Sequence, residues 1–154
     1  MPNTQAVGVA FADPEFQSVT VTGAVSAASA SVTGAVTADS VSAGTVTATS
    51  SLVIKTATVA AAGSVQGDAA AVTTGFTLVS AADGTKGVIL PTASAGLLCI
   101  IKNGAAANLK VYPNTSDAIN AGAANAAYTI AANTSTLLVA YDATTWYSLP
   151  LVAS

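Results

Sequence analysis

Histidine and arginine are absent from this chain, and charge of either sign is scarce: 7% of its 154 residues are charged, against roughly 25% in typical soluble domains. Without histidine, the usual general base and the commonest metal ligand are missing. The cations are Lys55, Lys86, Lys102 and Lys110, and the net charge is −3. No basic stripe exists to neutralise phosphates, so nucleic acid is not an expected partner. Aromatic residues make up 5% while hydrophobic residues make up 52%. Most of that apolar fraction is alanine and valine, which implies a modest core. Solubility must then rest on serine, threonine and asparagine.

Cys99 is the single cysteine, which excludes an intrachain disulfide. Its LLCII setting suggests a small buried hydrophobe rather than a reactive thiol. The longest bulky apolar runs, Gly87 to Leu90 and Gly96 to Ile101, fall far short of the ~20 residues that span a bilayer. No membrane partner is expected. The first residues, MPNTQAVGVAFADPEF, lack a positive segment and carry Asp13 and Glu15, unlike a signal peptide. Asn114-Thr-Ser and Asn133-Thr-Ser match a glycosylation sequon but read more simply as turns.

Catalytic patterns are missing as well. Ser94 sits in T-A-S-A-G, without the first glycine of a nucleophile elbow. Asp68, Asp83, Asp117 and Asp142 each stand beside turn-forming or small residues, where a carboxylate ordinarily caps backbone N–H groups. Two of them would form a sugar-hydrolysing pair only if the fold brought them within about 5–10 Å. Gly63 and Gly67 are not followed by Gly-Lys-Ser/Thr and make no phosphate cradle. The expectation is a protein that is not an enzyme and holds no cofactor and no metal.

What the chain does have is a repeat. Val19 to Val53 reads VTVTGAVSAASASVTGAVTADSVSAGTVTATSSLV, with VTGAV at Val21 and again at Val32, and valines recurring at Val36, Val41 and Val46. Its only charged side chain is Asp39. Each valine stabilises by roughly 1.5–3 kcal/mol if fully buried, whereas each ordered residue costs roughly 1–2 kcal/mol in backbone entropy. A lone ribbon therefore loses. The balance closes only if other chains cover both faces and pair with its backbone, so residues 19–54 are expected to form a β-rich shaft intertwined among three copies. Val21, Val25, Val32, Val36, Val41 and Val46 would be its core. The alternative is a flexible Ser/Thr/Ala linker, against which stands the abundance of β-branched residues.

Residues 1–18 precede the repeat with no helix or strand period. Phe11 and Phe16 flank Pro14 there, and exposed aromatics in a terminal arm imply something to pack on, either this protein's own trimer or a partner surface. Residues 55–154 read as many short strands between turn signals, expected as a β-sandwich or small barrel. The expected strands are Thr56 to Ala61, Gly75 to Ala81, Gly87 to Leu90, Leu97 to Lys102, Leu109 to Tyr112, Ala118 to Asn120, Tyr128 to Ala131, Thr136 to Tyr141 and Thr145 to Leu149. Asp83-Gly84, Pro91, Asn103-Gly104, Pro113-Asn114 and Asp142-Ala143 supply the turns. The Ala-rich stretch Ala121 to Ala127 reads as loop. Leu97 to Ile101 and Leu137 to Val139 are continuous apolar runs, expected in strands buried on both faces or at a subunit contact.

Several motifs now stand in order: GVILPTASAGLLCIIKN from Gly87, LKVYP from Leu109, DAIN from Asp117, YTIAANTSTLLVAYD from Tyr128 and TTWYSL from Thr144. Together they resemble the C-terminal β-domain found on many virion proteins of tailed bacteriophages. The Val/Thr/Ala/Gly repeat is similar in composition to phage fibre shafts and head decorations. The resemblance implies a homotrimeric structural protein on the outer surface of the virion, with the major capsid protein or another shell protein as partner. The short chain favours a capsid decoration or head fibre over a tail fibre, with the arm (Phe11, Pro14, Phe16) as the capsid anchor. A fibre tip that binds a host-surface glycan is the alternative. Its candidate platform is Tyr112, Tyr141, Trp146 and Tyr147, of which Trp146 and Tyr147 should point to opposite faces of one strand.

Overall fold

The structure, a computed structural model, describes residues 22–26, 28–73 and 75–151. The chain divides into two units at the Val46–Thr47 junction. The arm with Phe11, Pro14 and Phe16, and Val21 of the repeat, lie outside the described residues.

The described part of the first unit contains bends but no strand. Val25, Val32, Val36, Val41 and Val46 are 60–75% exposed. As a single chain, then, the repeat is not the β-rich element expected. The reason is physical: side chains this small cannot make a core within one ribbon, and among the described residues no strand pairs with it.

The second unit is all-β. Its strands are β1 (Thr56–Val59), β2 (Ala70–Ala71), β3 (Phe76–Val79), β4 (Gly87–Ile89), β5 (Leu98–Asn103), β6 (Leu109–Tyr112), β7 (Ala118–Ile119), β8 (Tyr128–Ile130), β9 (Ser135–Ala140) and β10 (Thr145–Leu151), with one 3-10 turn at Gln66–Asp68. Every expected strand is present to within two residues. The one addition is β2, a strand of two alanines.

Pairing differs from the expected sandwich or barrel. The strands form a six-stranded sheet, in the order β1-β3-β5-β9-β10-β7, and a four-stranded sheet, β2-β4-β6-β8. From β1 to β6 the chain alternates between the two sheets, and both sets pair in parallel. Thr56 lies opposite Phe76, and Phe76 opposite Ile100, so each turn takes about 20 to 24 residues, the scale of a solenoid repeat. What the sequence suggested as an all-β fold is thus a solenoid-like stack. After β6 the direction reverses. β8 pairs antiparallel with β6, β9 antiparallel with β5, and β10 antiparallel with β9.

Between the sheets lies one core. Val79, Ile101, Leu138 and Trp146 enter it from the larger sheet, and Val88, Leu109, Val111 and Ile130 from the smaller. β5 and β9 show strict alternation of buried and less buried residues, as a period-two strand with one face in the core requires. Gly87 is needed where β4 passes β6, because a Cβ there would lie 2.7 Å from the Tyr112 ring and 2.9 Å from the Lys110 carbonyl oxygen.

Asn103 ends β5 and is fully buried. Its Nδ2 donates to the carbonyl oxygens of Ala107 (2.8 Å) and Ala131 (3.1 Å) and more weakly to Ile130 (3.3 Å), while its Oδ1 accepts from the Ala105 N–H at 3.1 Å. One amide therefore ties the last parallel turn to the strand that reverses direction. Asn103→Asp replaces the donor with an anion facing carbonyl oxygens and should destabilise the domain by about 3 kcal/mol or more. Urea denaturation followed by far-UV circular dichroism measures this; a midpoint unchanged from wild type would refute the clamp.

Candidate interaction surface

The four aromatic residues singled out from the sequence do not come together. Trp146 is fully buried among core residues. Tyr112 is 7% exposed, its hydroxyl donating to the Ser64 carbonyl oxygen at 2.7 Å. Neither can stack on a ligand. Tyr141 and Tyr147 remain exposed, with ring centroids 5.8 Å apart and planes at 73°. Edge contact of that kind is favourable between the rings themselves, but it does not offer two coplanar faces to a sugar.

Asp83 and Asp142 act as turn caps. Asp83 Oδ1 accepts from the Thr85 hydroxyl (2.7 Å) and from the N–H groups of Thr85 (2.9 Å) and Lys86 (3.0 Å), next to Gly84 at φ +89°. Asp142 Oδ1 accepts from the N–H groups of Thr144 and Thr145 at 2.8 and 2.7 Å. Asp117 is 3% exposed and accepts from the Ala93 N–H at 3.2 Å. Close by, Asn120 takes a positive φ, accepts from the Ser148 N–H and donates to the Ser148 hydroxyl, both at 2.9 Å. The D-A-I-N segment thereby fixes β7 along β10. Among the described residues no group of three or more His, Cys, Asp or Glu could hold a metal ion, and no helix is long and apolar enough to cross a membrane. Burial raises the Cys99 thiol to about 11, which keeps it protonated and unreactive near neutrality.

The surface that stands out is the outward side of the six-stranded sheet. Across β5, β9 and β10, Leu98, Val139 and Tyr147 form one row by strand register. Ile100, Leu137 and Leu149 form the next. Leu98, Tyr147 and Leu149 are each about half exposed, and the others are partly exposed. The outward side of the four-stranded sheet is of different character. There Gly87, Lys110 and Thr129 lie in register, Tyr112 covers Gly87, and the next row is Ala71, Ile89 and Tyr112. Of the two large side chains in that row, Ile89 is partly exposed and Tyr112 is buried.

No protein-family model matches the chain, and comparison with curated proteins and with solved structures finds no match.

Hydrogen bonds hold the Asp83 carboxyl well below the usual carboxylate range, the Thr85 hydroxyl contributing most, and Asp142 is lowered chiefly by the Thr144 N–H. A carboxylate depressed in the folded state stabilises above its unfolded value of about 3.9 and loses that contribution as pH falls toward its folded value. Between about pH 4 and pH 2, thermal stability should therefore drop less steeply in the double variant Asp83→Asn, Asp142→Asn than in wild type. Equal slopes in calorimetric melts would contradict the assignment of these caps.

Proposed function

We propose that this chain is a structural protein of a bacteriophage virion, a homotrimeric decoration or head-fibre protein bound to the outside of the capsid. The observation that carries the reading is the repeat: its described valines are 60–88% exposed in the single chain although the whole of Val19 to Val53 carries one charge, Asp39. Such a segment gains order only by burying valines against other copies of itself. In the assembled protein residues 19–54 form the shaft around a threefold axis, and residues 55–154 form the β-domain it carries. Residues 1–18, with Phe11, Pro14 and Phe16, supply the anchor to a shell protein, each weak contact strengthened by threefold avidity.

Two further features support this reading. The motif block from Gly87 to Leu149 builds the reversed end of the stack, and its two acids accept from backbone N–H groups, Asp142 within a turn and Asp117 from Ala93. A fibre tip binding a host glycan is the second reading, favoured only by the exposed Tyr141 and Tyr147.

Intact protein should sediment at three times the 14.8 kDa chain. Val36→Asp or Val41→Asp should abolish that species, since three buried carboxylates would meet near one axis without partners. Antibody against the chain should label the heads of purified particles, and protein lacking residues 1–18 should remain trimeric yet fail to rebind stripped particles. Label confined to tails would overturn the capsid assignment, and a full-length monomer would overturn the trimer.

A further inference from the structure

We infer that the aliphatic face of the six-stranded sheet is where the β-domains of neighbouring copies pack on one another. This inference rests on the trimer reading but assigns a contact that the repeat alone does not. The two rows Leu98–Val139–Tyr147 and Ile100–Leu137–Leu149 lie side by side on strands that are themselves firmly built into the sheet. They are not needed for the domain's own core, which the alternate residues Cys99, Ile101, Leu138 and Trp146 fill from the other side.

Size, charge and chain continuity choose the occupant. The two rows cover three strands about 4.8 Å apart and two residue rows about 6.8 Å apart, on the order of 200 Å² of face, and Phe76 opposite Ile100 extends it onto β3. That is smaller than a free-standing specific contact needs, so the occupant it suits is a copy already held nearby. Lys102 is the only charged residue in the six strands of that sheet. A face so poor in charge gives no electrostatic means of choosing a foreign partner, whereas permanent contacts between identical chains are the most apolar class. Leu52, Val53 and Ile54 run exposed directly into β1 at the edge of this sheet. Copies joined through the repeat are thus delivered to the domain at high effective concentration. The outward side of the four-stranded sheet, with Lys110, Thr129 and a partly exposed Ile89, is left facing solvent.

The test uses full-length protein in a dilution series followed by sedimentation velocity. The variant Leu98→Glu, Leu149→Glu should raise the concentration at which half the trimer dissociates by at least tenfold, with an unchanged β-type circular dichroism spectrum. Thr129→Glu, on the exposed side of the other sheet, should leave that concentration within twofold of wild type. Tyr147→Glu provides the same reading at a single half-exposed position if the double variant fails to fold. A wild-type trimer whose dissociation is shifted less than tenfold by both face variants would overturn this assignment and leave the shaft trimer standing. Wild-type protein that is monomeric at every concentration would give the face to another partner and overturn both.

Discussion

A stack of parallel strands carries an open ladder of backbone N–H and C=O groups at each end, and closing those ends is the constraint on which this domain depends. At one end the chain reverses, and the edges left there are the short β7 and β8, two and three residues long. β9 lies antiparallel on β5 and β8 antiparallel on β6, so the last turn of both sheets is covered by strands of the same chain. β10 then adds to β9 in the longest paired register of the molecule, and β7 completes the sheet. Asn103 sits where parallel stacking gives way to the reversal, and its amide joins the two. At the other end β1 and β2 are edge strands, only four and two residues long. Short edges limit the unpaired ladder they present.

The scarcity of charge has consequences at every level of this architecture. Salt bridging is confined, among the described residues, to the exposed Lys86–Asp83 pair at 3.3 Å, which contributes little. Turns are held instead by Asp, Asn and Gly accepting or freeing backbone groups. The positive-φ positions Asn120, Asn125 and Asn133 fall between the later strands, where the left-handed region suits asparagine. With so few charges on the surface, apolar area left outside the core has no charged rim to keep it solvated. The exposed valines of the repeat and the outward leucines of the large sheet are two instances of the same deficit, and the self-association proposed above would relieve both.

Much of the fold was legible from residues alone. Strand positions followed from period-two patterning between Asp-Gly, Asn-Gly and Pro-containing turns, and the opposite pointing of Trp146 and Tyr147 followed from strand geometry. The apolar runs at Leu97 to Ile101 and Leu137 to Val139 suit strands buried on both faces or lying at a subunit contact. They are adjacent strands with one face in the core and one outward. Parallel stacking was not legible, because β1, β3 and β5 pair across some twenty intervening residues and nothing local distinguishes such a strand from one destined for a hairpin. β2 was missed because two alanines carry no strand signature. The burial of Tyr112 is not legible locally, because its ring lies over Gly87 and its hydroxyl bonds Ser64, both far away in sequence.

The stack is most firmly paired at the reversal, where β9 is held between β5 and β10, and thinnest at β1 and β2. Residue-resolved amide hydrogen exchange of the native protein tests this most directly. Paired amides of β5, β6 and β9 should exchange slowest, at rates approaching global unfolding, and those of β1 and β2 fastest among the strands. Protection that is greatest at β1 and β2 and lost at β9 would contradict the account.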